Sequence, residues 1–134
     1  MKTFDVQSIG IDVPTVVAFD FIADAANLTR WTSAFKRVEG ESATLETPLG
    51  AVDIQLTTIA RREARTVDWR MTFPDGLVGV AFSRVTPDGD ARSIYSFVLM
   101  APPVPLKALE GALEAQRVTL AEELVRLKGI LEGR

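Results

Sequence analysis

Apolar and polar residues alternate cleanly along "TVDWRMTF". Val67, Trp69, Met71 and Phe73 face one way, and Thr66, Asp68, Arg70 and Thr72 the other. A period of two predicts a strand with one buried face. "AVDIQLTTI" repeats the pattern, with Val52, Ile54 and Leu56 set against Asp53, Gln55 and Thr57. Residues 3–12, "TFDVQSIGID", alternate more loosely and predict an opening strand. "SAFKRVEGESATLETPLG" predicts a hairpin about Gly40-Glu41 and a further turn at Pro48 to Gly50. Pro74-Asp75-Gly76 and Pro87-Asp88-Gly89 then punctuate two more strands, "LVGVAFSRV" and "ARSIYSFVLM". Turns this regularly spaced predict consecutive antiparallel pairing.

Two regions follow a helical period instead. After Pro14, which suits a first helical turn because its missing N–H is not needed there, Val16, Val17, Phe19, Phe21 and Ile22 predict a short helix. "ADAAN" breaks it, Asp24 is placed to cap a second short helix, and Trp31 follows. Near the end, Leu106, Leu109, Leu113, Leu120, Leu124, Leu127 and Leu131 recur at three, four or seven, predicting one helix over about 105–131 with a single leucine seam. Gln116 occupies the position that would complete the seam between Leu113 and Leu120. Pro102, Pro103 and Pro105 precede this helix and Gly133 suits its exit.

The sum is an α+β chain: a strand, two short helices, about six more antiparallel strands and a long terminal helix. One apolar sheet face needs a cover, and the leucine seam can supply it. A helix of about 27 residues spans roughly 40 Å, longer than the strands of a small sheet, so the sheet must curve or the helix must project. Curvature is the condition for leaving a hollow between them.

Composition narrows the chemistry. The 134 residues are 47% hydrophobic and 25% charged, with a net charge of −3 and both signs interspersed, which argues against a nucleic-acid binder. Cysteine and histidine are absent. Disulfides, thiolate chemistry, the usual zinc sites and a histidine base are therefore excluded. The first residues carry no apolar run of signal-peptide length, and no stretch reaches the length of a membrane span. The expectation is a cytoplasmic protein of one domain, 1–134, needing no metal and no cofactor.

The order of elements resembles the helix-grip fold of the START-like (SRPBCC) superfamily, in particular its bacterial polyketide cyclase/dehydrase-like members. "IDVPTVVAFDFIADAANLTRWTSAF" is similar to the early pattern of that superfamily, and the leucine-striped last helix after a proline-bearing loop is the second point of similarity. The resemblance implies a curved antiparallel sheet of six or seven strands wrapped around the terminal helix, with an apolar ligand held between them.

Candidate binding residues follow from the faces. Trp69, Met71 and Phe73 are expected to look toward the long helix, with Phe82 and Tyr95 or Phe97 lining the same space. Each serves a packed core equally well. Gln116 on the seam either pairs with a strand residue or meets water or ligand in a cavity. If Val78, Val80 and Phe82 face inward, Arg84 turns inward too and would suit an anionic ligand at a pocket mouth; otherwise it marks an exposed strand end. Trp31 is expected to wedge the short helices against the sheet at one end of any cavity, or to touch its rim. Arg61, Arg62 and Arg65 beside Glu63 read as a solvated turn, and Asp53 and Asp68 as solvent-facing. No catalytic motif appears.

Three functions remain open at this level. The first is a binder of a small hydrophobic ligand of lipid, polyketide or aromatic type. The second is a cyclase or dehydratase using the same pocket, with Arg84, Tyr95 and Gln116 as its candidate polar groups. The third is an interaction module, such as a homodimer, without a ligand.

Overall fold

A computed structural model describes residues 3–47, 50–101 and 106–133, the side chains of residues 106–111 lying outside that description. Seven antiparallel strands form one curved sheet: β1 (Phe4–Ile11), β2 (Phe35–Glu39), β3 (Ser42–Thr47), β4 (Gly50–Arg61), β5 (Thr66–Thr72), β6 (Val78–Pro87) and β7 (Ser93–Met100). The spatial order is β1-β7-β6-β5-β4-β3-β2. From β2 to β7 each strand therefore pairs with its neighbour in sequence, and β1 closes the far side against β7. Gly40 and Gly89 take the left-handed backbone (φ 57° and 75°) that the β2–β3 and β6–β7 turns require. The expected turn at Pro48 and the prolines before the last helix lie outside the described residues.

Between β1 and β2 come α1 (Thr15–Ala23), one turn of 3-10 helix (Ala25–Asn27) and α2 (Leu28–Trp31). Pro14 starts α1, and the Asp24 carboxylate accepts the Ala26 N–H at 3.1 Å, ending one helix and opening the next turn. Of the apolar residues of α1, Ala18, Phe19 and Ile22 are buried, while Val16 and Val17 are exposed. α3 (Leu106–Leu131) is 26 residues long, roughly 39 Å, and lays Leu113, Leu120, Leu124 and Leu127 against the interior. Among the described residues its backbone runs closest to β1, then α2 and α1. The central strands are reached through side chains, so the contents of that gap decide whether the fold is filled or hollow.

Polar contacts pin the helix at both flanks. Lys128 Nζ donates to the Gly10 carbonyl (2.9 Å) and to Glu132 Oε2 (2.6 Å), and the same carboxylate oxygen accepts the Asp12 N–H (2.8 Å). This clasp also covers a carbonyl on the β1 edge. On the other flank, Glu123 Oε2 accepts the Ser33 N–H at 2.6 Å and Arg126 donates to the Trp31 carbonyl at 3.4 Å, tying α3 to the end of α2.

Partial burial raises the Glu123 carboxyl above the ordinary carboxylate range, outweighing the Ser33 N–H and the Arg126 charge, which both act the other way. A raised folded-state pKa favours folding most when the group is protonated, so this residue stabilises the fold less as pH rises through that pKa. Glu123→Gln retains an acceptor for Ser33 and removes the buried charge. It is expected to be more stable than the parent at pH 7, by less than about 1 kcal/mol given the remaining exposure. The difference should shrink as pH falls into the carboxylate range, as read from urea midpoints at a series of pH values.

Candidate functional site

The concave face is built from alternate residues of each strand. β5 contributes Val67 and Trp69 in full burial, with Met71 and Phe73 half-buried further along. β7 contributes Ser93, Tyr95 and Phe97, and β3 and β4 contribute Ala43, Leu45, Ile54 and Leu56. β6 sends in Ala81, Ser83 and Val85 rather than its larger residues.

This phase corrects the expectation for β6. Phe82 is 42% exposed on the outer face, and Arg84 is exposed beside it. The reason lies across the sheet. Trp69 pairs in register with Ala81, and Phe97 with Ser83, and the two rings stack over β6 at 6.1 Å and 26°. Small residues beneath the stack leave room for it, whereas an inward Phe82 would collide with both. Apolar size misidentifies the face when two neighbouring strands fill the same space.

Gln116 also differs from expectation: it is exposed, as is every residue from Glu114 to Val118. The seam is interrupted there because α3 faces no packed surface over that stretch. On the β1 side Gln7 Nε2 donates to the Arg117 carbonyl at 2.9 Å. Gln116 therefore stands outside the buried interior, and so does Arg84.

The remaining residues come together as a row. Trp31 meets Tyr95 edge-on at 6.3 Å (84°), Tyr95 meets Phe97 at 6.3 Å (72°), and Phe97 stacks on Trp69. Four rings from α2, β7 and β5 thus run unbroken across the concave face, each pair in a favourable offset or edge geometry. Trp31 is 1%, Trp69 3% and Tyr95 0% exposed.

Their polar atoms are the unusual feature. Trp31 Nε1, Trp69 Nε1 and the Tyr95 hydroxyl are all buried without a hydrogen-bond partner in the protein. Buried Trp and Tyr ordinarily find partners, and an unmet buried donor costs about 1–3 kcal/mol. Ser83 lies close enough to Tyr95 to moderate its acidity, and its own hydrogen is given to the Val67 carbonyl at 2.5 Å. Burial drives the Tyr95 pKa far above that of free tyrosine. The phenol therefore stays protonated at any physiological pH and acts as a hydrogen-bonding group, not as a base.

Tyr95→Phe gives a direct check on this geometry. It removes an unpaired hydroxyl and keeps the ring, so the ligand-free protein is expected to hold its stability or gain up to about 1 kcal/mol in thermal or urea unfolding. A loss of 1 kcal/mol or more would show that the hydroxyl is bonded.

Charge is sparse on this face. Among the described residues, the inward positions of the seven strands carry no Lys or Arg; Arg37, Arg70 and Arg84 all belong to the outer face. Asp5 on β1 is the inward acid, and it accepts from Gln7 Nε2 at 2.9 Å. Among the described residues no group of three or more acidic side chains is placed to hold a metal ion. Arg62, in the basic turn after β4, pairs with Asp20 at 2.9 Å and lies over the Phe19 ring at 5.1 Å, an exposed arrangement. A shallow open hollow of about 300 Å³ between β4 and β5, lined by residues that include Gln55, Thr72 and Phe73, lies on the surface and not at the unmet donors.

Among the interior polar residues that sequence pattern did not single out are Asp5, Gln7, Ser83 and Glu123. Ser83 had one legible signal, the run of small residues Gly79, Ala81 and Ser83 on one face of β6. The other three depend on which strand or loop α3 crosses.

Residues 6–132 match the family model described as polyketide cyclase / dehydrase and lipid transport. The chain belongs to that family. No curated protein matches it in sequence. Solved structures share the fold of this family member at low identity. A protein from Chromobacterium violaceum is 13% identical with a TM-score of 0.72, covering 98% of this chain and 99% of its own. A START superfamily protein from Mycobacterium smegmatis is 10% identical with a TM-score of 0.64, covering 98% and 99%. The ZhuI aromatase/cyclase from a Streptomyces species is 10% identical with a TM-score of 0.64, covering 97% and 91%. At such identities the likeness concerns the fold. No helix among the described residues of this family member is long and apolar enough to cross a membrane.

Proposed function

We propose that this protein binds a small hydrophobic molecule between the concave face of the sheet and α3. The observation that carries the reading is the aromatic row with three buried, unpartnered polar atoms. A packed core has no use for three such atoms, whereas a ligand site needs a mostly apolar wall with a few polar groups to orient its guest. Family membership supports the same reading. Binding without chemistry is favoured over cyclase or dehydratase action, because Tyr95 is held neutral and the inward acid Asp5 is engaged by Gln7.

Association of copies is a second reading, supported by the outer sheet face. Val6, 56% exposed, and Phe82 lie in register with Val98 across β1, β7 and β6. Native mass spectrometry of freshly purified protein tests both readings. The ligand reading predicts a co-purified mass that leaves on mild activation of the protein. A dimer with no added mass, and no uptake of an added apolar compound, would favour the second.

A further inference from the structure

We infer that the guest is an uncharged molecule with an apolar skeleton and oxygen acceptors, received by the indole N–H groups of Trp31 and Trp69 and by the Tyr95 hydroxyl. This rests on the binding site proposed above and goes further, to the class of ligand. An indole N–H can only donate, so two of the three unmet groups require acceptors on the guest. Tyr95 remains a phenol and adds a third donor that can also accept.

Charge excludes the ionised alternatives. A carboxylate would also accept from these groups, yet no Lys or Arg is found at the described inward positions of the strands. The buried residues of α3 among those described are leucines. Arg126 reaches the Trp31 carbonyl at the flank of the row (3.4 Å), and an anion buried away from it, with no cation beside it among the described residues, is strongly disfavoured. A cationic guest would face three donors, and Asp5 stands at the β1 side already bonded to Gln7. A pure hydrocarbon would bury all three donors and leave them unmet. Trp31 and Trp69 lie at opposite ends of the row, so acceptors at two separated points suit the site better than one polar head.

A matched probe series on the whole protein tests this: fluorene, 9-fluorenone and fluorene-9-carboxylate share a skeleton and differ in polar character. With two tryptophans, the ¹⁵N-labelled protein gives two indole N–H signals, and each reports its own hydrogen bond. The expected result is saturable binding of fluorenone about tenfold tighter than fluorene, the worth of one hydrogen bond formed by a buried donor. The carboxylate should bind weakest, and at least one indole proton should move downfield with fluorenone but not with fluorene. Trp69→Phe removes one of the three donors and should lower the ratio of fluorenone to fluorene affinity, and Tyr95→Phe provides a second variant should Trp69→Phe fail to fold.

Equal affinity for fluorene and fluorenone would overturn the acceptor requirement while leaving the binding site standing, and tightest binding of the carboxylate would overturn the uncharged class. Indole protons already at hydrogen-bonded positions without ligand, and unmoved by fluorenone, would assign the donors to internal water and overturn the inference. Absence of saturable binding by all three probes would overturn both the inference and the binding site beneath it.

Discussion

Replacing Trp31 with alanine is expected to destabilise the protein by about 3–5 kcal/mol, the range for removing a large aromatic from a packed interior. Trp31 is among the largest side chains in full burial. It closes one end of the aromatic row against Tyr95, and its carbonyl receives Arg126 from α3. Domains of this size carry only about 5–15 kcal/mol of net stability, so the variant should be partly unfolded at mild denaturant concentrations. Urea unfolding followed by circular dichroism measures the loss. A change below about 1.5 kcal/mol would mean that the indole does not wedge the short helices against the sheet. Trp31→Phe, which keeps part of the ring, is expected to lose less than half as much.

Breaking the clasp at the end of α3 should have the second largest effect. Lys128→Met removes the ammonium that meets the Glu132 side chain, only 4% exposed, and strips the donor from the Gly10 carbonyl. Removing one member of a buried pair costs about 3–5 kcal/mol, and the partial exposure of Lys128 lowers the expectation to about 2–4 kcal/mol. Adding Glu132→Gln to that variant should recover part of the loss, because a buried charge disappears while an acceptor for the Asp12 N–H remains. A double-mutant cycle in urea provides the coupling. Purely additive effects would reduce the clasp to a surface ion pair.

Much of the architecture was legible because it follows from periodicities that few alternatives satisfy. The period of two in "TVDWRMTF" assigns Trp69 to the buried face without ambiguity, since Asp68 and Arg70 flank it. Asp24 reads as a cap from its place after an apolar helical run, and its carboxylate does cap Ala26. Other features depend on partners distant in sequence. β6 carries apolar residues on both faces, so its orientation is decided by the room that Trp69 and Phe97 need, and Phe82 and Arg84 turn outward. The leucine period places Gln116 on the seam, yet no helical period says where the sheet ends beneath the helix, and the stretch from Glu114 to Val118 is exposed.

The site was legible only in part for the same reason. Trp69 was recognisable as a large aromatic on a buried face, Tyr95 only as an alternative to Phe97, and Trp31 as a wedge or rim residue after the helix break. Their shared property, a donor with nowhere to donate, exists only once every neighbouring acceptor has been assigned by tertiary structure. Glu123 reads as one more charge on a helix until Ser33 is seen against it.

The binding site between sheet and helix is tested most directly by titrating the native protein with N-phenyl-1-naphthylamine, a neutral apolar dye excited by tryptophan emission. Both tryptophans border the proposed site, so one dye per chain is expected to bind saturably at micromolar concentration, quenching both while its own emission rises. Linear, non-saturating uptake, or saturation that leaves the tryptophan emission unchanged, would contradict a site on the aromatic row.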